Sequence, residues 1–198
     1  MHRMLAQLPT VLILAAGRGE RFRAAGGTDK LQEILLGRRV RDRVTQAARD
    51  SGLPWHVVEA AHTARITNSG MGDSIACGVA ATADAAGWLV LPADLPLIQA
   101  ASLLAVAREL QNHTVVVPFF AGQRGHPVGF GPQARDELLA LRGDSGAASV
   151  VAAWKQRGGV GVLELDDVGC VTDVDTPEAL RAAKALALQR QETRSVNE

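Results

Sequence analysis

Positive charges and glycines are concentrated in one stretch near the start of the chain, directly after a run of aliphatic residues. The stretch reads LAAGRGERFRAAGGTDK and ends at Lys30. Gly17 and Gly19 allow a tight turn that brings backbone N–H groups close to an anion. Arg18, Arg21 and Lys30 can surround that anion with charge, and phosphate suits them because Arg forks match its oxygens while Lys acts as a point charge. The pattern indicates a site for a phosphate chain, with a solvated basic loop as the alternative.

Two common glycine-rich nucleotide motifs are excluded in this stretch. Phe22 stands where the dinucleotide fingerprint GxGxxG requires its third glycine, and no GxxxxGK[ST] sequence is present. An oxidoreductase that uses NAD(P)H is therefore an alternative without a fingerprint to support it.

Two acidic segments further along the chain have the character of metal ligands. Asp94 lies in LPADLP, after a short apolar run and between two prolines that fix the turn, and residues 173–175 read DVD. Mg²⁺ takes one or two carboxylates together with phosphate oxygens. If the segments meet in space, Asp94 and Asp175 form a pair of magnesium ligands. The alternative is that these residues serve as turn and helix-cap residues.

Three further segments suggest a second substrate. Residues 70–74 (GMGDS) lead into a predicted helix, whose N-terminus offers free N–H groups. Residues 124–129 (RGHPVG) combine a cation, a titratable ring and glycines, and residues 143–146 (GDSG) form another polar loop before a helix. A structural histidine and a plain turn with a helix cap are the alternatives for the second and third segments.

Apolar β-branched runs alternate with segments of helical period along the whole chain. The pattern predicts strands at 11–15, 55–60, 88–91, 113–118 and 160–165, and helices at 40–50, 74–86, 102–110, 132–141, 147–157 and from 177 onward. Ser102 and Thr176 are expected to cap their helices. This alternation predicts a single α/β domain over residues 1–188, with a mostly parallel sheet and helices on both faces, followed by a flexible polar tail over 189–198. Ligands of such sheets bind at the carboxyl ends of the strands, where the segments described above lie.

Bulk composition narrows the classes of partner. The 198 residues include 21 Lys+Arg and 21 Asp+Glu, so no global field attracts nucleic acid or an anionic membrane. No apolar run approaches the roughly 20 residues that cross a bilayer, and no secretory signal is evident. Cys77 and Cys170 lie far apart and are expected to be free thiols in a reducing cytoplasm. We therefore expect a cytoplasmic protein that contacts neither nucleic acid nor membrane.

The motifs taken in order resemble those of a known family. LAAGRGER…DK resembles the signature loop of MobA-like nucleotidyltransferases, and GMGDSI, LPADLP, RGHPV, GDSGA and DVDTPEAL resemble the molybdenum cofactor cytidylyltransferase branch. The resemblance implies a doubly wound, Rossmann-like α/β fold. It also implies Mg²⁺-dependent transfer of CMP from CTP to the phosphate of molybdopterin, with release of pyrophosphate.

The same resemblance implies roles for individual residues. The catalytic residues that hold the triphosphate would be Lys30, Arg18 and Arg21, and the metal ligands Asp94 and Asp175. Nucleotide binding would fall to Leu14, Ala15, Ala16, Gly17, Gly19, Gly70, Gly72 and Ser74, and acceptor binding to Arg124, His126, Pro127, Gly143 and Asp144. The form LAAG is typical of cytidylyl enzymes, and LAGG of guanylyl relatives. The chain departs from the family pattern in three places. The loop before Lys30 is longer, and the stretch from Trp55 to Gly70 is short and lacks much of the helix and strand usual there. Asp73 puts a carboxylate where the family often has a small residue, near the expected base or pterin.

Other functions remain open on the sequence alone. A nucleotidyltransferase of this kind can use another acceptor, such as a methylerythritol phosphate or a sugar phosphate, or GTP with the pterin. From a different class, the chain can be a non-catalytic accessory protein that binds the cofactor for a molybdenum hydroxylase. A transient contact with such a hydroxylase is expected in either case.

Overall fold

The computed structural model describes residues 8–17, 19–67 and 69–196. Its strands are β1 (Thr10–Ala15), β2 (Ile34–Leu35), β3 (Arg38–Arg39), β4 (Trp55–Glu59), β5 (Trp88–Pro92), β6 (Val115–Phe120), β7 (Gln123–Arg124), β8 (Val128–Phe130) and β9 (Val160–Glu164). Its α-helices are α1 (Glu20–Ala24), α2 (Val40–Asp50), α3 (Ala60–Thr63), α4 (Met71–Ala81), α5 (Ala100–Glu109), α6 (Arg135–Leu139), α7 (Ala148–Gln156) and α8 (Pro177–Val196). Short 3₁₀ turns lie at Pro132–Ala134, Gly143–Ser145 and Val168–Cys170.

The central sheet runs in the order β4-β1-β5-β8-β6, with β7 and β9 both paired to β6. β4, β1 and β5 are parallel, as are β6 and β9, whereas β8 is antiparallel to both of its neighbours. From β1 the chain crosses to β4 on one side and later to β5 on the other. The carboxyl end of β1 is therefore a topological switch point, where open α/β sheets bind their ligands.

β1 forms the centre of the fold because its aliphatic residues are buried on both faces of the sheet. Val11 and Ile13 pack into one apolar cluster with residues of α2, α5 and α8. Leu12 points the other way and joins a second cluster with α4, α6 and α7. Side chains of a strand alternate between faces, so a continuous aliphatic run is typical of a strand covered by helices on both sides. The predicted architecture is confirmed.

Glycine allows α4 to approach the sheet closely. A Cβ added to Gly78 would lie 2.9 Å from Cγ2 of Val58 and 3.1 Å from Cδ1 of Leu12. A side chain at this position would push Val58 and Leu12 aside, so glycine suits this face of α4. The close packing brings the N-terminus of α4 to the carboxyl end of β1.

Several predicted boundaries are corrected by the structure. α4 begins before residue 74 and ends before residue 86. Ser102 is not a helix cap: α5 begins after Gln99, and the buried Ser102 hydroxyl donates to Asp167 instead. Thr176 does cap α8, since its hydroxyl accepts the N–H of Ala179 at 3.1 Å.

The last helix is longer than the sequence predicts. α8 continues to Val196, so most of the polar segment 189–198 is helical, while residues 197 and 198 lie outside the described part. Arg190 anchors the segment by donating to the Leu97 carbonyl and to Asp167. The flexibility of the tail stays a prediction. None of the helices in the described ranges has the length and hydropathy of a membrane span.

Candidate active site

A cleft of about 860 Å³ opens at the carboxyl ends of β1 and β5. Its walls come from the loop after β1, the segment before α4, the turn after β5, β7 with its following loop, and the segment before α8. These are the segments that carry the sequence motifs. The fold thus brings together residues from distant parts of the chain at one end of the sheet.

Most of the predicted site residues line this cleft. They are Leu14, Ala16, Gly17, Gly19, Arg21, Lys30, Gly70, Ser74, Asp94, Arg124, His126, Asp144 and Asp175. Four others do not line it, although they lie in the same segments: Ala15, Gly72, Pro127 and Gly143. Arg18 lies outside the described residues.

Lys30 is the centre of the charged part of the cleft. Its Nζ donates to Oδ2 of Asp94 at 2.5 Å and to Oδ1 of Asp175 at 2.6 Å. The other oxygen of Asp175, Oδ2, contacts Nη2 of Arg21 at 2.9 Å. Two carboxylates from remote turns therefore converge on one ammonium group, as the metal-ligand hypothesis requires of their positions.

A backbone hydrogen bond explains why the two acidic turns are neighbours. The N–H of Val174 donates to the carbonyl of Asp94 at 2.9 Å, which places Asp173 and Asp175 beside the turn that follows β5. The turn after β5 is itself fixed to the sheet, because the N–H of Ala93 donates to the carbonyl of Leu14 at the end of β1. Asp94 is thus positioned by the sheet itself.

The long loop after α1 is closed by local contacts that hold Lys30 in place. Phe22 of α1 is buried, and a Cβ on Gly27 would lie 2.1 Å from its ring, so only glycine lets the loop fold over it. The Asp29 carboxylate accepts the N–H of Leu31 at 3.0 Å, which fixes the turn around Lys30. Leu31 is buried in the core. The extra residues of this loop do not displace Lys30 from the cleft.

The charges alter one another's protonation. Burial alone would lower the pKa of Lys30, but attraction to Asp94 and hydrogen bonds to Asp175 outweigh it, and the pKa is raised. Burial opposes ionisation of Asp175, yet Lys30 and Arg21 hold its pKa below the usual range. Burial and the negative charge of Asp175 raise the pKa of Asp173. The ammonium and the Asp175 carboxylate are therefore both charged at neutral pH.

Asp73 does not face the cleft, contrary to the sequence expectation that it lies near a base or pterin. It is 3% exposed, and its Oδ2 accepts the N–H of Gly70 at 3.0 Å and the N–H of Gly143 at 2.8 Å. These backbone bonds, Gly70 first, lower its pKa despite burial. Asp73 is a structural link between the start of α4 and the Gly143–Ser145 turn.

His126 lines the cleft as a neutral ring. Its backbone N–H donates to the Cys170 carbonyl at 2.9 Å. Burial lowers the pKa of the imidazole, against the attraction of Asp94. Nδ1 is buried and has no hydrogen-bond partner within the described residues. A buried polar atom is rarely left unpaired, so Nδ1 is an exception among the polar groups around the cleft.

Comparison with known proteins decides the family. Residues 11–158 match the model described as MobA-like NTP transferase domain. The chain belongs to this family. The purine catabolism protein PucB of Bacillus subtilis (strain 168) is 31% identical over 134 residues. That match covers 64% of this chain, and the chain spans 64% of the length of PucB.

Solved structures show that this MobA-like domain shares its fold with other proteins. Rv0371c from Mycobacterium tuberculosis H37Rv gives a TM-score of 0.74 at 24% identity, covering 92% of this chain and 100% of that one. A manganese complex of Rv0371c from Mycobacterium tuberculosis H37Rv gives a TM-score of 0.68 at 21% identity, covering 90% of this chain and 98% of that one. Molybdopterin-guanine dinucleotide biosynthesis protein A from Archaeoglobus fulgidus gives a TM-score of 0.61 at 15% identity, covering 91% of this chain and 99% of that one.

Some residues that line the cleft of this MobA-like domain were not among the predicted site residues. Ser69 lies directly before the predicted segment 70–74, and its position before a helix start was an available signal; Met71 lies inside that segment but was given no role of its own. Cys170 had no such signal: the 3₁₀ turn Val168–Cys170 brings it to the cleft only in the folded chain. Burial, followed by the charge of Asp167, raises the pKa of its thiol to about 11, which leaves it unreactive at neutral pH.

Proposed function

We propose that this MobA-like nucleotidyltransferase transfers CMP from CTP to the phosphate of molybdopterin and releases pyrophosphate. The observation that carries the proposal is the convergence of Lys30, Asp94 and Asp175 in the cleft at the switch point of the sheet. A cationic loop and paired carboxylates suit the phosphates of a nucleotide and their counter-ion. The resemblance of LAAG to cytidylyl enzymes supports CTP, and the motif order supports the pterin.

The reaction is an in-line attack by an oxygen of the acceptor phosphate on the α-phosphorus of CTP. The new P–O bond forms as the bond between the α-phosphorus and the bridging oxygen breaks, and the bridging oxygen leaves with pyrophosphate. The nucleophile is already anionic, so no general base is required. Lys30 and Arg21 neutralise charge on the phosphates, and the rigid cleft orients the two substrates.

The residues present fit a magnesium ion. Asp94 and Asp175 offer carboxylate oxygens, which Mg²⁺ prefers, and they already share a cation. Within the described ranges no three His, Cys, Asp or Glu side chains form a complete metal centre, which suits an ion that takes its other ligands from phosphate and water. When bound, Mg²⁺ would neutralise negative charge on the transferred and leaving phosphates.

The acceptor is proposed to contact Arg124, His126 and Asp144, which all line the cleft. Arg124 is exposed and suits a phosphate. The neutral imidazole of His126 can accept from or donate to a polar ring such as a pterin.

The test measures pyrophosphate release with CTP, GTP, ATP or UTP, Mg²⁺ and candidate acceptors. The pterin with CTP is expected to give the highest kcat/KM, and CTP to give the largest rise in Tm through linkage. Turnover with GTP, with a methylerythritol phosphate or with a sugar phosphate would replace this proposal with the corresponding transferase. Nucleotide binding without turnover on any acceptor would favour the non-catalytic accessory role for a molybdenum hydroxylase.

Asp94→Asn is expected to lower kcat about 10²–10³-fold, because it removes one key electrostatic contact from the site. The matched control is Asp84→Asn, an exposed aspartate in the turn after α4 that does not line the cleft. Its kcat is expected to equal that of the wild type. A kcat of Asp94→Asn near the wild-type value would show that Asp94 has no role in the reaction.

A further inference from the structure

Lys30 binds Asp94 and Asp175, the two carboxylates that would hold a metal ion. Its ammonium takes one oxygen from each carboxylate, and Arg21 takes the second oxygen of Asp175. The side chains of Lys30, Asp94 and Asp175 are only 13%, 16% and 18% exposed, whereas Arg21 is 80% exposed. The lysine is therefore the enclosed partner of both acids.

A divalent cation and this ammonium compete for the same oxygens. Each oxygen in contact with Nζ of Lys30 is a potential ligand, and a dication entering beside a buried ammonium would face a like charge with little solvent screening. Lys30 and a metal ion therefore cannot both contact these oxygens of Asp94 and Asp175 at the same time.

We infer that Lys30 occupies the cation site of Asp94 and Asp175 in the nucleotide-free protein, so that a divalent cation binds tightly only after a triphosphate has drawn the ammonium away. The inference rests on the proposed function for the identity of the ligand that displaces Lys30. Binding of nucleotide and metal is then coupled, and each raises the affinity of the other by the same factor.

The path of the Lys30 side chain makes this displacement short. A Cβ built on Gly19 would lie 3.9 Å from Cγ of Lys30, so the stem of the lysine passes beside the loop expected to hold the triphosphate. A flexible four-carbon stem lets the ammonium turn from the carboxylates to phosphate oxygens without movement of the backbone. Arg21, being exposed, can follow it to the same anion.

The test titrates Mn²⁺ into the full chain by calorimetry, with and without a non-hydrolysable CTP analogue. Wild type is expected to bind Mn²⁺ weakly alone. Lys30→Met, which keeps the length but removes the charge, is expected to bind Mn²⁺ alone at least about 10-fold more tightly, within the range typical of coupled sites. The Tm of Lys30→Met is expected to be low without metal, because two carboxylates lose their partner, and to rise with Mn²⁺ more than that of wild type.

Three controls separate the possible causes. Asp94→Asn combined with Lys30→Met is expected to lose the gain in Mn²⁺ affinity. Lys155→Met, at an exposed position on α7, is expected to behave like wild type. Lys30→Arg keeps the charge and is expected to keep Mn²⁺ binding weak.

Equal Mn²⁺ affinity in wild type and Lys30→Met without nucleotide would overturn the inference, as would no binding to either. If Lys30→Met does not fold, the wild-type titrations decide. Asp94→Asn then gives the background affinity for Mn²⁺. The affinity of the wild type above this background must rise when the CTP analogue is present, and an affinity that does not change with the analogue contradicts the inference. A gain in Mn²⁺ affinity in Lys30→Met, together with no turnover by the wild type on any acceptor, would uphold the exchange and reject the proposed reaction.

Discussion

At the scale of single residues, the aspartates in the sequence motifs have different roles. Asp94 and Asp175 face the cleft and share Lys30, whereas Asp73 points into the protein and accepts backbone N–H groups. All three stand in polar, glycine- or proline-containing stretches near helix starts or strand ends. Their types and spacing alone do not distinguish a metal ligand from a structural acceptor.

Asp73→Asn is expected to destabilise the protein by about 1–3 kcal/mol at pH 7, since the amide accepts the N–H groups of Gly70 and Gly143 less well than the carboxylate does. The folded protein lowers the pKa of Asp73. Its stabilising contribution is therefore fully present above the unfolded pKa, near 3.8, and is lost as the pH falls through the lower folded value.

Urea denaturation of wild type and Asp73→Asn at a series of pH values checks this expectation. The difference in the free energy of unfolding should stay constant between about pH 7 and 5 and shrink only in strong acid. A difference that grows on acidification would show that the carboxylate is not stabilised in the folded state.

At the scale of elements, the N-terminus of α4 and the Gly143–Ser145 turn form one joint of the cleft. The main chain of Gly70 passes so close to this turn that a Cβ would lie 2.3 Å from Oδ1 of Asp144 and from the Gly143 carbonyl carbon. Asp73 bonds both sides of the joint. Two segments that carry predicted substrate-binding residues are therefore held at a set separation.

Gly70→Ala is expected to lower stability by about 1–3 kcal/mol, because the added methyl group overpacks the joint. It is also expected to weaken nucleotide binding, measured by calorimetry with CTP, since α4 must shift at the cleft. Gly17→Ala is the contrast: no heavy atom lies within 4 Å of its added Cβ. Its Tm should match that of wild type, and an equal fall for both variants would argue against the overpacking explanation.

At the scale of the whole molecule, two apolar clusters are joined by the strands they share. β1 and β5 contribute alternate residues to each, with Val11 and Leu89 on one face and Leu12 and Trp88 on the other. Loss of packing on either face weakens the same sheet. The two clusters are therefore expected to unfold together.

Leu103→Ala and Leu138→Ala each remove a fully buried side chain, one from each cluster. Each is expected to cost about 2–5 kcal/mol and to lower the midpoint of a single thermal transition. Leu188→Ala, on an exposed face of α8, should change stability by less than about 0.5 kcal/mol. A separate early transition in either buried variant would show that the faces unfold independently.

The sequence predicted the main strands and helices because their signals are local. The aliphatic run of β1, the period of α2 and the Thr-Pro start of α8 each lie within a few residues. β8 was missed, and its antiparallel insertion between β5 and β6 follows from pairings with distant strands. The hairpin of β2 and β3 is too short to carry a period.

By itself, the sequence predicted the fold class, the family resemblance and most of the segments that line the cleft, since apolar period, turn residues and motif order are properties of contiguous chain. The tertiary structure alone decided which charges meet. Lys30 contacts Asp94 and Asp175 across 64 and 145 residues of chain. Contacts over such separations depend on how helices pack on a twisted sheet, and no local pattern encodes that geometry.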